Sequence, residues 1–352
     1  MAQPIWLYFG YCNSSCASAY VFQIVLILSA KTINWGIIGA GRIAAKFAED
    51  LNSVSNCQLL AIASRDLEKA KQFALTHKAQ KAYGSYEALV DDSGIDAIYI
   101  ATPHSFHKPH SLLALAQHKA VLCEKPFAMN LEEVDAMIEG SKANNTLLME
   151  AMWTMFLPHF QYVLNLVKNG HFGKVLKLEA DFGFNPEYDE TSRVFKKSLG
   201  GGSLLDIGIY PVFAALSTLG VPKSITAEAT YFPNGTDATC TMEFNYDDAQ
   251  AILKSTFLEE TKTEAIFHCE RGLIKMNGRF HQPTTVTLIS GNGDYKTKDF
   301  NCTRFGYNYE IEHFNTLLRQ GKTESPIMPF ETSRQLIHIL DKVRAKIGLD
   351  YT

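Results

Sequence analysis

The chain has 352 residues, 46% of them hydrophobic, with 33 basic against 37 acidic side chains and a formal net charge of -4. That length exceeds one ordinary core and predicts two domains, while the near-balanced charge excludes the strong field that draws nucleic acid or an anionic membrane. Seven cysteines without a C-x-x-C pair exclude a disulfide framework or zinc site, so reduced thiols, a cytoplasmic setting and a small-molecule partner are the expectation.

Residues 1–30 carry no charged side chain, and 17–28 form an apolar run. The positive n-region and good cleavage site of a secretory signal are missing, and Asn13, Ser14, Ser15, Ser18 and Gln23 interrupt the roughly 20 apolar residues that a membrane span needs. Residues 1–31 are expected to be an extension outside the fold, such as an upstream start would add. An uncleaved signal or anchor is the alternative.

A short apolar strand at 33–38 runs into Gly39-Ala40-Gly41-Arg42-Ile43-Ala44 and a helix to about residue 51. This is G-x-G-x-x-A between strand and helix: one glycine permits the tight turn, the next lets backbone approach a pyrophosphate, and helical N–H groups face phosphate. The second strand, 58–63, ends in Ser64-Arg65, where an NAD enzyme carries an acid for the ribose hydroxyls. A hydroxyl and a guanidinium suit the 2′-phosphate of NADP instead, although Asp66 follows directly.

Helices at 66–77 and 86–90 precede a strand at 97–101, which breaks into Thr102-Pro103-His104-Ser105-Phe106-His107. His104, His107 and His110 stand three apart. They run from loop into helix without a nearby Cys or acid, so no metal is expected. Thr102 and Pro103 are expected to line the cofactor and His107 to cap or orient the loop. After a helix at 109–117, the strand Val121-Leu122-Cys123 ends in Glu124-Lys125-Pro126. A charged pair at the carboxyl edge of a buried strand lies where an open α/β sheet meets its ligands, and Pro126 restrains the lysine backbone. Lys125 is therefore a catalytic candidate, with Glu124 beside it at the cofactor. Asn130 and Glu133 predict a capping box for a helix at 131–143, and the strand 147–152 closes the six-stranded, doubly wound dinucleotide-binding domain expected over 32–152.

From residue 153 the pattern changes. One helix, 159–168, is followed by strands at 175–182, 225–231, 238–244, 249–257, 263–269, 273–276 and 285–290, then by helices at 309–320 and 331–347. This predicts a second α/β domain, 153–352, built on a large, mostly antiparallel sheet with one face under helices and an apolar face free to pair with a second copy. Between its first two strands lies Gly200-Gly201-Gly202-Ser203-Leu204-Leu205-Asp206-Ile207-Gly208-Ile209-Tyr210. The glycines would let backbone approach a ligand, and Asp206 and Tyr210, four apart, would share a helical face. The bland alternative is a loop capped by Asp206. A neighbouring ammonium, such as Lys125, would lower the Tyr210 phenol from its ordinary value toward working pH.

Together, GAGRIA, CEKP and GGGSLLDIGIY resemble the glucose-fructose oxidoreductase, inositol dehydrogenase and rhizopine catabolism (Gfo/Idh/MocA) family, from about residue 33 to the end. AVLCEKP, LLMEAMWTMFLP, LLDIGIY and ESPIMPFETSRQLIHILDKVRAKIG look most similar to its dimeric dihydrodiol dehydrogenase and NADP-dependent D-xylose dehydrogenase branch. The resemblance implies a Rossmann domain plus an α/β domain, an NADP cofactor and a homodimer formed through the open sheet. It implies Tyr210 as general acid/base, Lys125 as its pKa-lowering partner, Asp206 beside them, and Trp153 and Phe182 as substrate walls. Gly39, Gly41, Arg42, Ile43, Ser64 and Arg65 fall on its cofactor positions. The segment between Phe182 and Tyr210 is slightly longer here than in those relatives and borders the substrate.

The expected activity is reversible hydride transfer between nicotinamide and a hydroxyl of a sugar or trans-dihydrodiol, with Tyr210 taking the proton. The alternatives are an NAD-linked polyol or inositol-type dehydrogenase, disfavoured by Arg65, and a cofactor-binding regulator without chemistry. A regulator would need the glycines but not Lys125, Asp206 and Tyr210.

Overall fold

The computed structural model describes residues 31–351, so the expected extension, Lys31 apart, lies outside the described residues. Strands β1 (Ile33–Ile38), β2 (Cys57–Ala63), β3 (Lys81–Tyr83), β4 (Ala97–Ile100), β5 (Ala120–Glu124) and β6 (Leu148–Ala151) form a sheet in the order β3-β2-β1-β4-β5-β6. Every pairing in it is parallel. Burial on both faces explains why most of these strands read as unbroken apolar runs. Helices α1 (Arg42–Leu51), α2 (Leu67–His77), α3 (Tyr86–Val90), α4 (His107–Ala116) and α5 (Leu131–Ala143) link them. Strand order reverses between β1 and β4, and a crevice opens beyond the carboxyl ends there, at the switch point of an open α/β sheet.

The expected capping box on α5 is half formed. Asn130 Oδ1 accepts the Glu133 N–H at 2.9 Å, but the Glu133 carboxylate takes the N–H of Met129 at 3.1 Å. Asn130 is fully extended (φ -163°, ψ 174°), so the preceding N–H meets the glutamate in place of its own.

Eight further strands build the second sheet: β7 (Val175–Gly183), β8 (Ser224–Tyr231), β9 (Asp237–Asn245), β10 (Gln250–Thr256), β11 (Ala265–Cys269), β12 (Gly272–Met276), β13 (Val286–Ser290) and β14 (Tyr295–Lys298). Their order is β14-β13-β12-β11-β7-β10-β9-β8, antiparallel except between β7 and β10. Helices α6 (Pro158–Lys168), α7 (Ile209–Leu219) and α9 (Phe330–Ile347) pack on this sheet, against β12, against β7 and β10, and against β8 respectively. The outer face departs from the apolar surface expected of it. Strand alternation turns Lys177, Glu179, Lys254, His268 and Lys275 outward, in ion pairs such as Lys177–Glu179 at 2.7 Å and Lys275–Glu264 at 2.7 Å, with Ile252 exposed among them.

Helix α8 (Tyr307–Arg319) crosses back to pack on α1. Asp50 of α1 accepts the N–H groups of Gly306 and Tyr307, both at 2.8 Å, and so caps α8 across the molecule. Trp35 and Phe47 meet Phe314 and Tyr307 in one apolar core continuous with that of the second sheet.

Candidate active site

A cavity of about 660 Å³ opens where the two sheets meet. One end is built by the loops after β1, β2 and β4. Gly39 has φ +103°, and a Cβ there would sit 2.8 Å from the Ala101 carbonyl oxygen, so only glycine fits the turn. A Cβ at Gly41 would meet nothing within 4 Å, which leaves an open cradle before the N-terminus of α1, whose N-cap has no side-chain hydrogen bond. These free N–H groups and this cradle fit a pyrophosphate. Arg42, Ser64, Arg65 and Lys69 line the same end, beside Ile43 and Tyr86. The Asp66 carboxylate, a possible repellent of a further phosphate, instead accepts the Lys69 N–H at 3.1 Å and caps α2.

The middle wall holds Thr102, Pro103 and His107. His107 sits between two carbonyl oxygens, Pro126 O at 2.8 Å and Thr102 O at 2.9 Å, and its neutral ring donates to one of them while packing the β4 loop against the β5 loop. Burial pushes its imidazole down to about 4. His104 faces Gly200 O and Arg193, and His110 faces the Thr102 hydroxyl, so the three histidines diverge. Among the described residues no group of His, Cys, Asp or Glu is gathered to hold a metal ion.

At the far end, Lys125 reaches from β5 across the seam. Its Nζ donates to the Asp206 backbone oxygen at 2.6 Å, lies 3.9 Å from Asp206 Oδ1, and sits 4.8 Å from the centre of the Tyr210 ring. The Lys125–Pro126 peptide is cis. Asp206 lies inside a π-helical turn, Leu204–Gly208, that runs into α7, so it does not cap that helix. The cap comes from β9: Asp237 Oδ2 accepts the Leu204 N–H at 2.6 Å. Trp153 Nε1 donates to the Tyr210 hydroxyl oxygen at 3.0 Å, and its ring stacks on Tyr307 at 4.4 Å. Phe182 stacks on His281 at 4.2 Å and closes the aromatic wall.

Burial dominates the electrostatics here. It lowers the Lys125 ammonium, with Asp206 and then Glu124 opposing. It raises the Glu124 carboxyl, which accepts the Tyr99 hydroxyl. Burial would raise Asp206 too, but the Arg193 guanidinium, then Lys125, outweigh it and hold the carboxyl well below its ordinary range. The Tyr210 phenol departs from the sequence expectation. Burial, with Glu124 adding, lifts it well above its ordinary value, and the Trp153 N–H only partly opposes. The ammonium lies over the ring face and spends its hydrogen bond on the Asp206 carbonyl, so it does not offset desolvation.

Every candidate residue from the sequence lines this cavity: Gly39, Gly41, Arg42, Ile43, Ser64, Arg65, Thr102, Pro103, His107, Glu124, Lys125, Trp153, Phe182, Asp206 and Tyr210. The glycine run is the exception in kind. A Cβ at Gly201 would lie 2.8 Å from the Lys196 nitrogen, and one at Gly202 (φ +117°) would lie 2.0 Å from Asp237 Oδ1, so these glycines approach protein and not ligand. Sequence reasoning missed Arg193, His281 and Tyr307. Each stands in a segment without a motif and reaches the cavity by the path of the chain.

The model of the oxidoreductase family with an NAD-binding Rossmann fold matches residues 33–152, and that of the Gfo/Idh/MocA C-terminal domain matches 160–275. The trans-1,2-dihydrobenzene-1,2-diol dehydrogenase of Xenopus tropicalis is 36% identical over 90% of this chain and 98% of its own. This chain belongs to the Gfo/Idh/MocA oxidoreductase family. Another relative in the family, the NADP-linked scyllo-inositol 2-dehydrogenase IolU of Bacillus subtilis, is 33% identical over 91% of this chain and 98% of its own. The Gfo/Idh/MocA fold is shared with the 3-ketoreductase KijD10 of Actinomadura kijaniata, solved with NADP and TDP-benzene (TM-score 0.82, 24% identity, 90% and 98% of the two chains). It is shared also with the aldose-aldose oxidoreductase of Caulobacter crescentus (TM-score 0.82, 21% identity, the same coverage).

Proposed function

We propose that this oxidoreductase is an NADP-dependent dehydrogenase of a ring hydroxyl on a sugar or a trans-dihydrodiol, working also in the reducing direction. The observation that carries the reading is the Lys125 ammonium 4.8 Å over the Tyr210 ring, in the cavity that Gly39 and Gly41 open. Relatives named for dihydrodiol and inositol oxidation support the hydroxyl-bearing ring. Gly39, Gly41 and the α1 N-terminus would hold the pyrophosphate of NADP. Arg42, Ser64, Arg65 and Lys69 favour NADP over NAD by their charge and donors, with Asp66 turned away. When bound, NADP supplies the hydride acceptor or donor; the chain's own residues bind, orient and move the proton.

In the reducing direction Tyr210, held as a phenol by burial, donates its proton to the substrate oxygen. In the oxidising direction the phenolate form of Tyr210 takes the proton of the substrate hydroxyl and returns to the phenol, and the Trp153 N–H on its oxygen supports the phenolate before that transfer. Trp153, Phe182 and His281 exclude water and press on the ring. A homodimer through the outer face of the second sheet fits the same reading: Ile252 stands exposed there among charged pairs able to match a second copy.

The test is absorbance at the reduced nicotinamide band, with NADP⁺ and NAD⁺ against pentoses, hexoses and dihydrodiols. Tyr210→Phe is expected to lower turnover about 10²- to 10⁴-fold while NADP⁺ affinity stays within a few-fold. Near-normal turnover in that variant overturns the assignment.

A further inference from the structure

We infer that Arg193, paired with Asp206, is the specificity-determining element of this site and reads a second hydroxyl next to the one that reacts, so that the enzyme selects vicinal diols over lone alcohols. The inference rests on the proposed dehydrogenase reading and names its substrate class. Arg193 comes from the segment between β7 and the glycine run and lines the far end of the cavity. Its Nη1 and Nη2 both donate to Asp206 Oδ1 at 3.2 Å, and Lys125 Nζ approaches that same oxygen at 3.9 Å. Every one of these contacts falls on Oδ1, so Oδ2 remains for a donor, and a guanidinium with five N–H groups keeps donors to spare. A donor and an acceptor thus stand side by side, one helical turn from Tyr210. A hydroxyl, at once donor and acceptor, matches both; a carboxylate would be repelled by Asp206, and an alkyl group would leave both unpaired.

The guanidinium is held in place from behind. His104 is buried, and its Nδ1 lies 3.2 Å from the Gly200 carbonyl oxygen, which can only accept, so the ring proton belongs on Nδ1. Nε2 is then a lone pair, and it accepts from Arg193 Nη1 at 3.3 Å. His104 is accordingly a positioning residue for Arg193. The backbone that follows the arginine is anchored too. Val194 and Phe195 are buried, Gly202 N–H donates to Val194 O at 2.9 Å, Gly201 N–H to Lys196 O at 3.1 Å, and Asn234 Nδ2 to Phe195 O at 2.7 Å. The glycines that meet no ligand have this work instead: they seat the arginine. Lys125 Nζ, 3.9 Å from Asp206 Oδ1 and 4.8 Å from the centre of the Tyr210 ring, joins the pair to the tyrosine that moves the proton.

The test pairs D-glucose with 2-deoxy-D-glucose and trans-1,2-cyclohexanediol with cyclohexanol, in wild type, Arg193→Met and Arg193→Lys. Turnover with NADP⁺ is measured, and binding to the enzyme–NADP⁺ complex is measured by saturation-transfer NMR. Wild type is expected to favour the diol member of at least one pair by about 100-fold or more in kcat/KM. Arg193→Met should collapse that preference to within about threefold, mainly through KM, with NADP⁺ affinity unchanged. Arg193→Lys keeps a charge on Asp206 without the fork; it guards against misfolding of the Met variant and should lose about tenfold. Turnover with the preference intact in both variants overturns the inference and leaves the dehydrogenase reading standing. Diol-selective binding that vanishes in the variants, without turnover in wild type, supports the inference and sinks the reaction. Wild type that neither binds nor oxidises a diol selectively sinks the inference.

Discussion

Trp153 does two things at once: it donates its indole N–H to the Tyr210 oxygen at 3.0 Å and lies flat against Tyr307. The first of these lowers a phenol that burial raises. Trp153→Phe keeps a stacking ring and removes the donor, so the tyrosine rises further. In the oxidising direction Tyr210 must take a proton, and the rising limb of kcat/KM against pH is expected to move toward alkaline pH, with NADP⁺ affinity unchanged. An unmoved limb would show that the indole N–H does not tune the phenol. The pair Lys125 and Tyr210 was legible in the sequence because each sits at a place with a local signature, a strand end before proline and a helical spacing after glycines. Arg193, His281 and Tyr307 were not, because what makes them functional is a contact with residues far along the chain, and no local spacing records it.

At the scale of elements, the loop-to-helix passage around the glycine run holds Asp206, Tyr210 and Arg193 in one frame. Gly202, at φ +117° and against Asp237, has no room for a side chain; Gly220, at φ +81°, has open space. Gly202→Ala is expected to destabilise by about 2 kcal/mol or more and to raise KM, because Asp237 caps the π turn from the position the new methyl would take. Gly220→Ala meets the backbone penalty alone, about 1 kcal/mol. Equal costs in chemical denaturation would argue against the packing role given to Gly202. Most strands announced themselves as apolar or alternating runs, but β3 and β14 did not. Both are sheet edges, β14 exposed throughout and β3 only three residues long with Lys81 exposed, and edges are kept short and polar to deter pairing with other chains. The outer face of the second sheet was expected to be apolar, but the alternation of β7, β10 and β11 turns Lys177, Glu179, Lys254 and His268 outward beside Ile252.

At the scale of the whole molecule, each sheet buries an acid. Glu150 on β6 is raised by burial from 4.5 to about 7, and Asp237 on β9 from 3.8 to about 7. A carboxyl whose native value lies above its unfolded one stabilises the fold fully below the unfolded value, and loses that contribution as pH rises through the native one. Between pH 5 and pH 8.5 each group therefore removes on the order of 2–3 kcal/mol from wild-type stability. The buried histidines push the other way in acid, since His107 and His110 are lowered to about 4. They are present in wild type and variant alike, so they cancel in a difference. Glu150→Gln and Asp237→Asn keep an acceptor oxygen for the Phe127 and Leu204 N–H groups while removing the titration. Each variant is expected to gain about 2–3 kcal/mol relative to wild type when denaturation is compared at pH 8.5 and pH 5. The two substitutions should move the same single transition, although they lie in different sheets. Trp35, Phe47, Tyr307 and Phe314 carry one apolar core across the seam, and Asp50 caps α8 from the other side. Two separate transitions, each answering to one variant, would mean that the sheets unfold independently and that the cavity between them is held more loosely than this core implies.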